Sequence, residues 1–256
     1  MRRPDVAGAN RSLHTLERAF SKAGSGSRTE ARGWIASGRV RVNGKPVLNP
    51  GHWVDAARDR ITLDGQPLRP AARDYLLLHK PTGYVTTRSD PQGRPTVYDL
   101  IAGVDAWLSP VGRLDLDTSG LLILTNDTAF ADGVSSPLHK VPKTYQVRTG
   151  HRLTAEQLDR LRQGVLLRDG PTRPAVVHRL RDGSGYTDLE MAITEGRNRQ
   201  VRRMIEAVGS QVRRLARTAI GPVAMGDLPS GAWRRLSAAE VAALRGKRPA
   251  STAKTT

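Results

Sequence analysis

VGRLDLDTSGLLILTND, residues 111–127, sets one arginine and two carboxylates in a turn-prone segment immediately before an apolar run. Gly112, Asp117, Ser119 and Gly120 are turn formers. Leu121 to Leu124 form a continuous apolar stretch of the length expected for a strand covered on both faces. Such a turn holds Asp115 at the rim of a rigid sheet, which is how a fold presents a reactive acid. Taken alone, an aspartate beside an arginine is more often a loop ion pair than a nucleophile, so the rest of the chain has to decide between them.

The surrounding 256 residues carry 41 Lys plus Arg against 24 Asp plus Glu, a formal charge of +17. That excess attracts polyanions by counterion release, with RNA, DNA and anionic membrane as candidates. No apolar run reaches the roughly 20 residues needed to span a bilayer, and the first ten residues lack the apolar region of a signal peptide. The expectation is a soluble, cytoplasmic protein that does not engage a membrane. With no cysteine, disulfides, thiol catalysis, iron–sulfur clusters and Cys-ligated zinc are excluded. The six histidines are scattered without ligand spacing, so no metal site is expected.

Composition divides the chain. Residues 1–12 and 246–256 read as disordered basic tails, 13–68 as a small basic module, 69–73 as a linker and 74–245 as a larger strand-rich domain. In the module, Leu13, Leu16, Ala19 and Phe20 share a helix face. Ser27 with Glu30 forms a capping box for a second helix, which ends at Gly38, and Asn43-Gly44 offers a tight hairpin turn. Arg28, Arg32, Arg39, Arg41 and Lys45 gather on its polar side. Because acids are sparse there, phosphate contacts are expected of them as a group. The segment RTEARGWIASGRVRVNGKPV, residues 28–47, resembles the alpha-L or S-four-like RNA-binding module, which supplies affinity and orientation rather than chemistry.

In the larger domain, strands are expected over 75–79, 121–124, 144–147, 175–180 and 187–193, with helices over 154–163 and 200–208. The fold class is therefore α+β, a helix-pair and β-hairpin module followed by a mixed, mostly antiparallel sheet with helices on one side. The second helix opens with EGRNRQVRRM, residues 195–204, so that Arg197, Arg199, Arg202 and Arg203 crowd its first turns. A helix N-terminus with four guanidinium groups suits phosphate.

Four segments occur in order: LLLHKPTGYVTT (76–87), GRLDLDTSGLLILTND (112–127), KTYQV (143–147) and EGRNRQVRRM (195–204). Together they resemble the RsuA/RluB-type ribosomal RNA pseudouridine synthases over almost the whole chain. The resemblance implies a pseudouridine synthase catalytic domain acting on ribosomal RNA or a ribosomal subunit precursor without a cofactor, and a monomer is expected. By the same likeness, Asp115 is the catalytic aspartate and Tyr145 stacks on the target base. An arginine of the 197–203 cluster pairs with the aspartate, with Arg202 preferred over Arg197 or Arg199, Arg113 helps displace the target nucleotide, and Lys143 is the basic residue preceding the tyrosine. Arg197, Arg199 and Arg203 remain with the RNA.

Uridine becomes pseudouridine when the bond from ribose to N1 of uracil is replaced by one to C5, with no redox change. A carboxylate suits this step as nucleophile or as base. Asp117, two residues on, could face the same cleft in an extended segment, but the family position selects Asp115. Thr128 after TND and the run FADGVSSP (130–137) depart from the family pattern. Ser136-Pro137 and TRPAV (172–176) lean toward the small-subunit enzymes and GRNRQVRRM toward the large-subunit ones, with large-subunit rRNA preferred. The competing reading is a catalytically silent RNA-binding assembly factor. A glycosidase or nuclease is disfavoured by the scarcity of aromatic residues and the lack of an acidic cluster.

Overall fold

The computed structural model describes residues 13–55 and 57–246, so the expected tails lie outside the described residues except for Gly246. The chain divides into two compact units. Among the described residues, one comprises those up to 73 with 106–108 and 126–128, and the other comprises 74–105, 109–125 and those from 129 onward.

In the first unit, helix Leu16–Lys22 is followed by helix Arg28–Ala36. Ser27 Oγ accepts the Glu30 amide at 2.9 Å while the Glu30 carboxylate accepts the Ser27 amide at 2.8 Å, so the capping box closes in both directions. A four-stranded sheet runs in the order Lys45–Pro46, Val40–Val42, Ile61–Leu63, Gln66–Pro67. Its two tight turns, Asn43-Gly44 and Asp64-Gly65, have positive φ at both central residues, the geometry that matches strand twist. Leu16, Phe20, Ala31, Ile35, Val40 and Val54 are fully buried between helices and strands, apart from small Ala19 and Val42 edges. The stretch 69–73, expected as a linker, counts with this unit, and the Ala71 amide donates to the Ala23 carbonyl at 2.8 Å.

The second unit is built on a sheet ordered Val176–Gly183, Tyr186–Ile193, Lys143–Thr149, Val212–Ile220, Ser119–Thr125, Tyr75–Lys80, Trp233–Arg235. Every neighbouring pair is antiparallel except Val212–Ile220 against Ser119–Thr125. The run Leu121 to Leu124 lies in the interior of this sheet with each residue at 0% exposure, which accounts for its unbroken apolarity. Removing four such side chains from water contributes about 1.5–3 kcal/mol each. Leu158 and Leu161 of helix Ala155–Gln163 and Val201, Met204 and Ile205 of helix Gln200–Ala207 pack on Val147, Leu189, Met191 and Leu215. A second cluster joins Leu77, Leu121, Ile123 and Ile220 to Phe130, Val134 and Leu244 of helices Thr128–Ser135 and Ala238–Arg245.

Strands Val212–Ile220 and Trp233–Arg235 and the two helices Thr128–Ser135 and Ala238–Arg245 were not anticipated from sequence. In Val212–Ile220 three arginines interrupt the apolar pattern, and only the fold reveals that Arg213 and Arg214 face solvent while Arg217 is buried.

Candidate active site

The acidic turn is anchored from several sides. Thr86 Oγ1 donates to the Leu114 carbonyl at 2.8 Å and accepts the Leu114 amide at 3.3 Å. The Gly83 amide donates to the Leu116 carbonyl at 2.8 Å, and the Thr118 amide closes onto the Asp115 carbonyl at 3.1 Å. Lys80, at 0% exposure, directs its Nζ to the carbonyls of Thr118 and Pro81 at 2.8 and 2.9 Å. With the backbone fastened before and after it, Asp115 is presented half-buried from a rigid turn.

Asp115 lines a cavity of ≈ 390 Å³ together with Arg113, Lys143, Tyr145, Arg197, Arg199 and Arg217. Tyr145 stands opposite Met191 on one neighbouring strand and Arg217 on the other. The arginines divide differently from the sequence expectation. Arg199 is the guanidinium within ion-pair range of Asp115, at 3.9 Å, and it also forks onto Asp117 with both contacts at 3.1 Å. Arg202, expected to pair with Asp115, instead grips Asp117, reaching its carboxylate at 3.1 Å and its carbonyl at 2.8 Å. Asp117 is thus the structural anchor for two arginines. Burial opposes its ionisation, but the hydrogen bond from Arg199 and the fields of Arg202 and Arg199 hold its pKa below the usual carboxylate value.

Arg197 and Arg203, assigned to RNA from sequence, are tied to the chain itself. Arg203 forks onto Asp169 at 2.9 and 3.2 Å, and Arg197 donates to the carbonyls of Gly170 and Pro171 and pairs with Glu195 at 3.4 Å. The loop before helix Gln200–Ala207 is braced by the Gln200 side chain, which accepts the Arg197 amide and donates to Glu195. Arg199 caps the helix in the left-handed region, at φ 46° and ψ 33°. A non-glycine residue there stores strain of about 1–3 kcal/mol, offset by surrounding contacts that aim the side chain at the acidic turn.

Two cations in this region carried no assigned role in the sequence reading. Lys80 sits within the quoted segment 76–87, where nothing local marks it as buried. Burial lowers its pKa to about 8 against the favourable fields of Asp115 and Asp117. Arg217 is 4% exposed, donates through Nε to the Leu121 carbonyl at 2.7 Å, and leaves a buried Nη2 without a partner among the described residues. Lys143, named beforehand, donates to the Val134 carbonyl at 3.0 Å, and burial followed by the Arg217 field lowers its pKa to about 8.

In the first unit, Arg32 pairs with Glu17 and Arg39 forks onto Asp64, so the expectation of an un-neutralised group fails for these two. Arg28, Arg41 and Lys45 have no ion pair among the described residues. Those described residues also hold no cluster of potential metal ligands and no helix long and apolar enough to cross a membrane.

A carboxylate on a rigid turn, an aromatic wall and a cationic surround suit an enzyme that brings carboxylate chemistry to an anionic substrate with a planar ring. Residues 74–207 match the RNA pseudouridylate synthase family and residues 21–61 match the S4 domain. A protein of Aquifex aeolicus (strain VF5), named an uncharacterized RNA pseudouridine synthase, is 39% identical over 230 residues, covering 90% of this chain and 92% of that protein. The ribosomal large subunit pseudouridine synthase B of Bacillus subtilis (strain 168) is 37% identical over 235 residues, covering 91% and 96%. The protein of that name from Pseudomonas aeruginosa is 38% identical, and the present chain spans 60% of its length. A solved crystal structure of a pseudouridylate synthase has a TM-score of 0.66 at 31% identity, covering 90% of this chain and 99% of its own. The chain belongs to the RNA pseudouridylate synthase family.

Proposed function

We propose that this protein isomerises a specific uridine to pseudouridine in large-subunit ribosomal RNA or its precursor particle, with Asp115 as the catalytic carboxylate. The observation that carries the reading is that Asp115, Tyr145 and Arg199 converge on one cavity. The C1′–N1 bond of uridine breaks, the uracil turns, and C1′ bonds to C5; the C5 proton leaves and N1 takes one up, so atoms balance without a cofactor. Asp115 acts at the ribose, either on C1′ or on the 2′ hydrogen. Tyr145 offers a face to the unstacked base and offsets part of the few kcal/mol that flipping costs. Arg113 at the rim helps displace the nucleotide, Lys143 supports the tyrosine strand, and Arg199 with Arg202 orders the acidic turn through Asp117. In the S4-matching unit, Arg28, Arg41 and Lys45 contact phosphates. The preference for the large subunit rests on the names of the relatives at 37–38% identity.

The test is carbodiimide mapping of pseudouridine across both rRNAs in cells lacking the protein, complemented with wild-type or Asp115→Asn copies. One site lost, and restored by wild type alone, is the expected result. An unchanged map would leave a silent RNA-binding factor as the better reading.

A further inference from the structure

A row of charge crosses the outer face of the catalytic sheet, away from the cavity. Arg181 stands opposite Asp188, Asp188 opposite Arg148, and Arg148 opposite Arg214, so that four adjacent strands read Arg, Asp, Arg, Arg along one rung. Asp188 accepts from both of its neighbours, at 2.7 and 2.9 Å from Arg148 and 2.8 Å from Arg181. The Arg148 guanidinium is further fixed over the Tyr186 ring at 4.2 Å from its centroid. Arg214 is exposed and has no ion pair among the described residues. These residues line an open groove of ≈ 310 Å³ together with Gln146 and Ala216, and among its described lining residues Asp188 is the only acid.

Directly opposed like charges destabilise a sheet by a fraction of a kcal/mol to about 1 kcal/mol. Arg148 offsets that cost through Asp188 and Tyr186, but Arg214 has no counter-charge among the described residues, and an anion seated between the two arginines would turn the repulsion into attraction. A β-bulge places Leu180 beside Arg181 and re-aims the edge strand there, with Leu180 left 52% exposed. Three guanidinium groups distributed over three strand spacings, about 14 Å, form a linear track rather than a pocket for one small anion. Forked, weakly hydrated arginines on a flat open surface suit successive phosphates.

We propose that this face is a second RNA contact, in which Arg148, Arg181 and Arg214 hold the phosphodiester backbone of the substrate RNA at a distance from the reacting uridine. The inference rests on the reading of the chain as a ribosomal RNA synthase. It differs from the contacts of the small unit and of the cavity because it lies on the opposite face of the catalytic sheet from the cavity.

The experiment uses the full chain with Arg181→Gln and Arg214→Gln combined, leaving Arg148 to hold Asp188. Binding to deproteinised large-subunit rRNA is measured against salt, and single-turnover pseudouridine formation is measured at saturating enzyme. The double variant should bind about tenfold more weakly at 0.15 M salt, with a slope of log affinity against log salt shallower by about 1.5, and with an unchanged saturated rate. Lysine at both positions should restore most of the affinity, and the melting temperature of the double variant should stay within about 3 °C of wild type, since relief of the Arg148–Arg214 repulsion opposes loss of the exposed Arg181–Asp188 pair. Unaltered affinity and slope in the double variant, with an active wild type, would overturn the proposal. So would a defect confined to protein-bearing precursor particles, which would indicate an acidic protein partner. Failure of the wild type to form pseudouridine in any rRNA would instead remove the underlying functional reading.

Discussion

Gly120 lies against Arg217 so closely that a β-carbon on the glycine would sit 2.2 Å from the Arg217 carbonyl oxygen and 2.5 Å from its amide nitrogen. The two residues are paired in the single parallel junction of the catalytic sheet, and Gly120 has φ 108°, a conformation open only to glycine. This contact joins the strand that follows the acidic turn to the strand that carries Arg217.

Gly120→Ala should therefore destabilise the protein by at least about 2 kcal/mol, because neither the backbone angle nor the neighbouring backbone can yield. Thermal unfolding should shift down by about 5 °C or more. A melting temperature within a degree of wild type would show that the strands can separate locally without cost.

Asp115→Asn and Asp117→Asn should fail in different ways. The first removes the group proposed to act on the ribose and should abolish single-turnover product formation, with RNA affinity within about twofold and the melting temperature unchanged. The second releases Arg199 and the nearly buried Arg202 from their shared anion and should cost about 1–3 kcal/mol in urea unfolding. Residual catalysis should survive in it. Equal stability losses in the two variants would contradict the division of labour between the carboxylates.

Much of this was legible in the sequence. Leu121 to Leu124 announced an interior strand because a short continuous apolar run directly after turn formers suits a strand covered on both faces, and Ser27 with Glu30 announced a helix start because the capping chemistry is local. What stayed hidden depends on neighbours distant in sequence. Arg217 reads as surface in a stretch with Arg213 and Arg214, and its burial follows from the parallel junction with Gly120. Lys80 ends an apolar strand like any solvating lysine, yet the carbonyls of Thr118 and Pro81 draw it inward. The exchange of partners among Arg199, Arg202, Asp115 and Asp117 could not be read from spacing, since Asp117 competes through both its carboxylate and its carbonyl.

Lys80 and Lys143 make stability depend on alkaline pH. Both are charged below about 8 in the folded protein, whereas an unfolded lysine titrates near 10.4. Between those values the unfolded chain binds more protons, so these groups make stability increase with pH through that window and cost most at neutral pH and below. From pH 7.5 to 9.5 each should add about 1–2 kcal/mol to the unfolding free energy. Urea denaturation at the two pH values checks the sign, and Lys143→Met should show a smaller rise. A fall in stability over this interval in the wild type would contradict the assignment.

For the small unit, Arg28→Gln, Arg41→Gln and Lys45→Gln together should flatten the salt dependence of RNA binding by about two slope units. Arg32→Gln with Arg39→Gln should change it by less than one unit, since Glu17 and Asp64 already neutralise those charges. Equal effects from the two sets would mean that RNA readily breaks the ion pairs.

Asp117 holds a place that a phosphate would otherwise want. An RNA strand that reaches Arg199 meets a guanidinium already forked onto a carboxylate, so docking there is a swap of one anion for another, with few counterions set free. Such a swap contributes little to affinity and much to discrimination. On the proposed reading, a backbone that arrives out of register cannot match the fork that Asp117 offers and is turned away, while one that fits takes Arg199 and leaves Asp117 in the hold of Arg202. The arginine count of the segment before the helix thus overstates its stickiness and understates its selectivity.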